Sequence, residues 1–150
     1  MAVIELRSPD FEDQAFIAAR HAHDGENVSP SLEWVGVPPE ATELLLLCED
    51  PDAPRGHFLH WLVTGIDPHS AGVPEHGRPT GGREWRNGFG EEGWGGPAPP
   101  PGERPHRYVF RLYALARAPE LPADPSVDDV YRAADGAMLA RGTLVGLYQR

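Results

Sequence analysis

The sequence predicts a mainly β fold, an antiparallel sandwich or barrel-like arrangement with a single late helix. Three observations lead there. Apolar or alternating runs of strand length recur along the whole chain. Proline and glycine bound most of them, and both disfavour helix interiors. Only one segment, after Ser126, carries a helix start.

The elements follow in order. Ala2–Leu6 alternates and reads as a short strand. Ser31–Trp34 leads into Val35-Gly-Val-Pro-Pro, a turn-and-strand signal. Glu43–Glu49 (ELLLLCE) is a continuous apolar run between Pro39 and Pro51. Periodicity does not separate a strand from a buried helix there, and the flanking prolines favour the strand. His57–Ile66 (HFLHWLVTGI) is aromatic and β-branched, again a strand. From Gly72 to Gly102 the chain is dense in glycine and proline, a long turn-rich excursion from the scaffold. Arg107–Ala116 (RYVFRLYALA) alternates: Tyr108, Phe110, Leu112 and Ala114 share one face, and Val109, Arg111, Tyr113 and Leu115 the other. Ser126 is an N-cap residue with Asp128 and Asp129 in the first turn, which predicts a helix from Val127 to Leu139, broken or frayed near Gly136. Gly142–Tyr148 (GTLVGLY) closes the chain as a last strand.

The chain has 150 residues, the length of one domain, and no internal repeat or linker divides it. All 13 basic residues are arginine, so Schiff-base lysine chemistry and a Walker-type phosphate loop are excluded. A net charge of −10 argues against nucleic acid as a partner and against docking on anionic membranes. The single cysteine, Cys48, leaves no intrachain disulfide and no Cys-rich zinc site. The opening MAVIELRSPDFED lacks the basic head and apolar run of a signal peptide, and the run Leu44–Cys48 is too short to span a bilayer. The expectation is a soluble, cytoplasmic protein with no integral membrane association.

Four segments carry candidate chemistry. Asp50-Pro51-Asp52-Ala53-Pro54 sets two carboxylates in a loop stiffened by proline, directly after a buried strand. On the next strand His57 and His60 are three apart and face opposite sides if it is regular; His60, beside Trp61, is the inward one. Gly95-Gly96-Pro97-Ala98-Pro99-Pro100-Pro101-Gly102 allows close backbone approach to a ligand while proline keeps it extended. His106 and Tyr108 share a face at the start of a strand, and Arg107 between them points away toward a surface or loop salt bridge. Elsewhere Trp34 and Trp61 read as core aromatics, and His21 and His23, near Gly25, as loop or surface residues.

These pieces, in this order, resemble the phosphatidylethanolamine-binding protein (PEBP) family, and within it the small bacterial branch labelled Raf-kinase-inhibitor-like. The carrying motifs are Asp50-Pro-Asp-Ala-Pro54, His60-Trp-Leu-Val63, Gly95-Gly-Pro-Ala-Pro-Pro100 and His106-Arg-Tyr-Val-Phe-Arg-Leu-Tyr-Ala-Leu115. Ser29-Pro-Ser-Leu-Glu-Trp34, Asn87-Gly-Phe-Gly90 and Gly142-Thr-Leu-Val-Gly-Leu-Tyr148 support them, so the likeness spans nearly the whole chain. The resemblance implies a PEBP-like fold: a large antiparallel central sheet packed on a smaller sheet, with one short helix near the C-terminus. It implies a pocket for small anions and phosphorylated head groups, built from Asp50, Asp52, His60, Gly96, Pro100, His106 and Tyr108. Trp94 stands where the family commonly has a tyrosine, which removes a hydroxyl from the rim, and Gly88 replaces an acidic residue.

The chemistry of those side chains suits a zwitterionic head group: two imidazoles and a phenol donate to phosphate oxygens, and Asp52 receives an ammonium. No cofactor and no metal are expected, although Asp50, His60 and His106 would also make a 2-His-1-carboxylate set. Two further readings use the same chain. One is a small-molecule isomerase, lyase or cyclase with Asp50, His60, His106 and Tyr108 as acid–base groups. The other is a kinase- or protease-modulating protein, with Gly72–Gly93 as the interaction loop or, on the simpler reading, a flap over the pocket. Some bacterial relatives pair, so a homodimer is compatible with the resemblance.

Overall fold

A computed structural model describes residues 2–150. In chain order it has β1 (Ala2–Val3), β2 (Glu5–Arg7), β3 (Ala15–Phe16), a 3₁₀ turn (Ala19–His21), β4 (Leu32–Val35), β5 (Glu43–Asp50), β6 (Phe58–Ile66), β7 (Gly72–Val73), β8 (Arg83–Glu84), β9 (His106–Leu115), α1 (Val127–Asp135) and β10 (Met138–Tyr148). Seven strands form a large sheet in the order β1-β10-β9-β5-β6-β8, with β3 also on β10. β2, β4 and β7 form a smaller antiparallel sheet. The large sheet is not wholly antiparallel: β1 and β3 run parallel to β10.

The continuous apolar run of β5 follows from its position, because a strand covered on both faces has no polar side to alternate with. Leu44, Leu46 and Cys48 pack with Leu32, Trp34, Trp61, Phe110 and Leu112 in the layer shared with the small sheet. Leu45 and Leu47 pack on the opposite face with Leu62, Leu115 and the helical Val127, Val130 and Ala134. β9 divides its side chains as its alternation predicts, with Tyr108, Phe110, Leu112 and Ala114 in the first layer and Tyr113 and Leu115 in the second.

The largest departures from the sequence expectation lie near the two ends of the chain. The segment Ala2–Leu6 is two strands, because buried Ile4 donates its N–H to the Arg141 carbonyl and the chain then crosses to the small sheet. The helix ends at Asp135 and Gly136 caps it, so Met138 and Leu139 belong to β10. From Ala140 onward β10 buries alternate residues, a period of two that outweighs helix propensity. At its start α1 behaves as its sequence suggests: the Ser126 hydroxyl accepts from the Asp129 N–H, and the Asp129 carboxylate accepts from the Ser126 N–H.

Candidate functional site

The topology puts three strand ends together. β5 runs antiparallel to both neighbours, so its C-terminal end meets the N-terminal ends of β6 and β9. Asp50 ends β5, Phe58 starts β6 and His106 starts β9. A β-bulge adds His60 to this group: Cys48 pairs with Trp61 and Glu49 with Leu59, leaving His60 as an extra residue. The bulge turns its ring against Tyr108, with centroids 5.2 Å apart.

Around these ends lies a cavity of about 320 Å³. Asp50, His60 and His106 supply its polar floor; Phe58, Phe89, Ala98, Pro99 and Pro100 supply apolar walls; the turn Ala53–His57 with Arg55 forms the mouth. Phe89 comes from the long excursion and closes one side of the cavity. The Asn87 side chain organises the turn that carries it, accepting from the Phe89 and Glu91 N–H groups and donating to the Gly93 carbonyl. Gly88 lies against the Phe58 ring, where an added Cβ would come within 2.6 Å of it.

His106 is the electrostatic centre. Its Nδ1 lies 2.7 Å from Asp50 Oδ2 and its Nε2 lies 2.7 Å from Glu103 Oε1. Two carboxylates on one ring call for two N–H donors, the imidazolium form. Burial opposes that charge, but the bonds to Asp50 and Glu103 outweigh it and raise the His106 pKa. Burial also pushes Asp50 above the ordinary carboxylate range, against the opposing effect of its bonds from His106 and the Asp52 N–H. His60 has the contrary character. Desolvation lowers its pKa to about 4, and its Nδ1–H is directed at the Gly95 carbonyl, which leaves Nε2 with a lone pair.

Three residues that the resemblance assigned do not line this cavity. Asp52 is held by Arg107, whose backbone N–H and guanidinium both donate to it at 2.8–3.0 Å. That ion pair lowers the Asp52 pKa to about 2, and it is the loop salt bridge expected for Arg107. Gly96 is buried behind the wall; its N–H donates to Asn27 Oδ1, and an added Cβ would fall 2.0 Å from the His21 carbonyl oxygen. The Tyr108 hydroxyl is buried without a hydrogen-bond partner, and desolvation with the nearby Asp50 raises its pKa. Trp94 does not line this cavity; half-buried against the core, it stacks on Phe110 with its indole donating to the His21 carbonyl. Both His106 nitrogens and the His60 Nδ1 are engaged in hydrogen bonds, so His60 Nε2 is the ring nitrogen of the pair left open to the cavity.

Sequence reasoning missed Glu103, whose only signal is its spacing of three residues before His106 in a polar loop. It also missed the second imidazole–carboxylate pair, in which His57 Nδ1 bonds the buried Glu49 at the cavity mouth.

Comparison with known proteins decides the family. The family profile described as "Phosphatidylethanolamine-binding protein" matches residues 7–149. The chain belongs to the PEBP family. A UPF0098 protein of Methanothermobacter thermautotrophicus is 44% identical to it over 98% of this chain and 99% of its own length. A putative lipoprotein, LppC, of Mycobacterium tuberculosis is 38% identical over 97% of this chain and 71% of its own. Among solved structures, the putative PEBP homologue CT736 of Chlamydia trachomatis superposes with a TM-score of 0.87 at 30% identity, covering 100% of this chain and 99% of that one. YbcL of E. coli, described as a member of the mammalian PEBP family, gives 0.89 at 29% identity, covering 99% of each chain. As a PEBP member the protein has the two-sheet fold expected from its motifs. No helix among the described residues is long and apolar enough to cross a membrane.

Proposed function

We propose that this PEBP member binds a small phosphate ester bearing an amine, of the phosphoethanolamine type, in the cavity at the ends of β5, β6 and β9. The observation that carries the reading is the His106 ring, oriented by Asp50 on Nδ1 and holding a carboxylate oxygen of Glu103 at 2.7 Å on its outer nitrogen. A phosphate oxygen takes that position when Glu103 moves aside, and Glu103 lies on an exposed loop free to do so. Arg55 at the mouth supplies a second cationic donor. The ammonium is received by the His60 Nε2 lone pair and the released Glu103 carboxylate. The methylenes rest on Phe58, Phe89 and the prolines. Asp50 is a positioning residue here, since Oδ2 holds His106 and Oδ1 accepts from the Asp52 N–H.

Isothermal titration with phosphoethanolamine, inorganic phosphate and ethanolamine checks this. Phosphoethanolamine should bind more tightly than either half. His106→Gln, which keeps a donor for Asp50, should weaken it by at least about tenfold, the worth of a charge-assisted hydrogen bond. Equal affinity in the variant would remove His106 from the site.

A second reading rests on the opposite displacements of the two histidines. A neutral His60 and a charged His106 in one cavity are a base and an acid, the pairing that proton-transfer enzymes use. Turnover of a bound phosphate ester, followed by phosphorus NMR over hours, distinguishes this from binding alone.

A further inference from the structure

A second polar cluster lies apart from the cavity, where three distant segments meet: Asp10, His21 and Glu75. His21, expected from sequence as a loop or surface residue, ends the 3₁₀ turn and is fully buried. Its Nδ1 sits 2.8 Å from the Val28 carbonyl, which only accepts, so that nitrogen carries the proton. Nε2 is buried and without a hydrogen-bond partner, and in the neutral ring it offers a lone pair. It faces Asp10 Oδ2 at 4.0 Å and Glu75 Oε1 at 3.9 Å, both too long for a hydrogen bond.

A lone pair and two carboxylates converging on one point want a cation between them. With bonds of about 2.1 Å in a tetrahedral site, donor atoms stand about 3.4 Å apart. The two distances from His21 therefore have to close by roughly half an ångström and the two carboxylate oxygens, within 4.8 Å of each other, must draw together as well; Glu75, 39% exposed, has the freedom to do it. The ring already has the support that metal-bound histidines need, its other nitrogen fixed on a backbone carbonyl. Asp10 is held as well, Oδ2 accepting from the Ser31 N–H. Arg20 is the resident competitor: its Nε lies 2.6 Å from Glu75 Oε1 and its Nη2 lies 3.3 Å from Asp10 Oδ1. That guanidinium is 42% exposed, and an exposed pair of this kind is easily displaced.

We propose that Asp10, His21 and Glu75 form a site for a divalent transition cation of the zinc class, with water as the fourth ligand. One imidazole nitrogen with two carboxylate oxygens suits zinc better than calcium or magnesium, which favour all-oxygen shells. The bound ion would brace the wall of the cavity from behind. The His21 carbonyl takes the Trp94 indole N–H, and the His23 ring stacks on Phe89 at 4.1 Å.

Chelator-treated full-length protein titrated with Zn²⁺ by calorimetry, and with Co²⁺ by visible absorption, tests the assignment. Wild type should bind one equivalent, develop Co²⁺ d–d bands and melt at higher temperature with Zn²⁺. Arg20→Ala should bind more tightly, and Glu75→Gln at least about tenfold more weakly. His21→Gln should abolish the bands; Glu75→Gln and Asp10→Asn, at sites that are not fully buried, carry the test if that variant does not fold. Absence of saturable binding in wild type, or binding unchanged in both carboxylate variants, would overturn the proposal.

Discussion

Replacing Glu103 with alanine isolates the step on which ligand entry turns. In the wild type a phosphate must displace the Glu103 carboxylate from the His106 Nε2. Their 2.7 Å contact is charge-assisted, but the Glu103 side chain is 45% exposed, so solvent screening discounts it. About 1 kcal/mol remains, the upper end for a pair of this kind, which is about fivefold in affinity. Glu103→Ala should therefore bind inorganic phosphate about fivefold more tightly. For phosphoethanolamine the gain should be smaller, because the ammonium loses the Glu103 carboxylate. Calorimetry at one fixed pH for both proteins is the assay. Unchanged or weaker phosphate binding, with the fold intact by circular dichroism, would refute the displacement argument.

Two more predictions concern stability. The folded pKa of His60 is lowered to about 4 from 6.5, so between these values the unfolded chain holds a proton that the native protein lacks. Native stability should rise with pH across that window, and in denaturant titrations at pH 4 and 6.5 His60→Gln should flatten the change by roughly 3 kcal/mol; parallel curves would contradict it. The Tyr108 hydroxyl is buried without a partner, so Tyr108→Phe should leave stability unchanged or raise it by about 1 kcal/mol, with head-group affinity intact. A tenfold affinity loss in that variant would place the hydroxyl in the binding site after all.

What the sequence made legible is what local pattern controls. The parity of Tyr108, Phe110 and Leu112 assigns them to one layer, and the Ser126 capping box starts α1 where propensity says it should. Asp50, His60, Pro100 and His106 come from recognisable motifs, and they reach one cavity because β5 lies between β6 and β9. The remainder depends on contacts with no local trace. The bulge that turns His60 is a matter of pairing between strands, visible only against Cys48 and Glu49. Asp52 and Tyr108 belong to the same motifs yet are diverted, one by Arg107 and the other by complete burial. Glu103 and His21 carry no periodic signal at all; their roles arise from where a loop and a short turn fold back.

The account depends on the charge state and exposure to ligand of a single ring. Side-chain ¹⁵N NMR of His106 measures both. With Asp50 and Glu103 raising its pKa, both nitrogens should keep their protons to a higher pH than in a free imidazole, and phosphoethanolamine should shift Nε2 far more than Nδ1. A ring that loses its proton below the free-imidazole range, or resonances unmoved at saturating phosphoethanolamine, would contradict it.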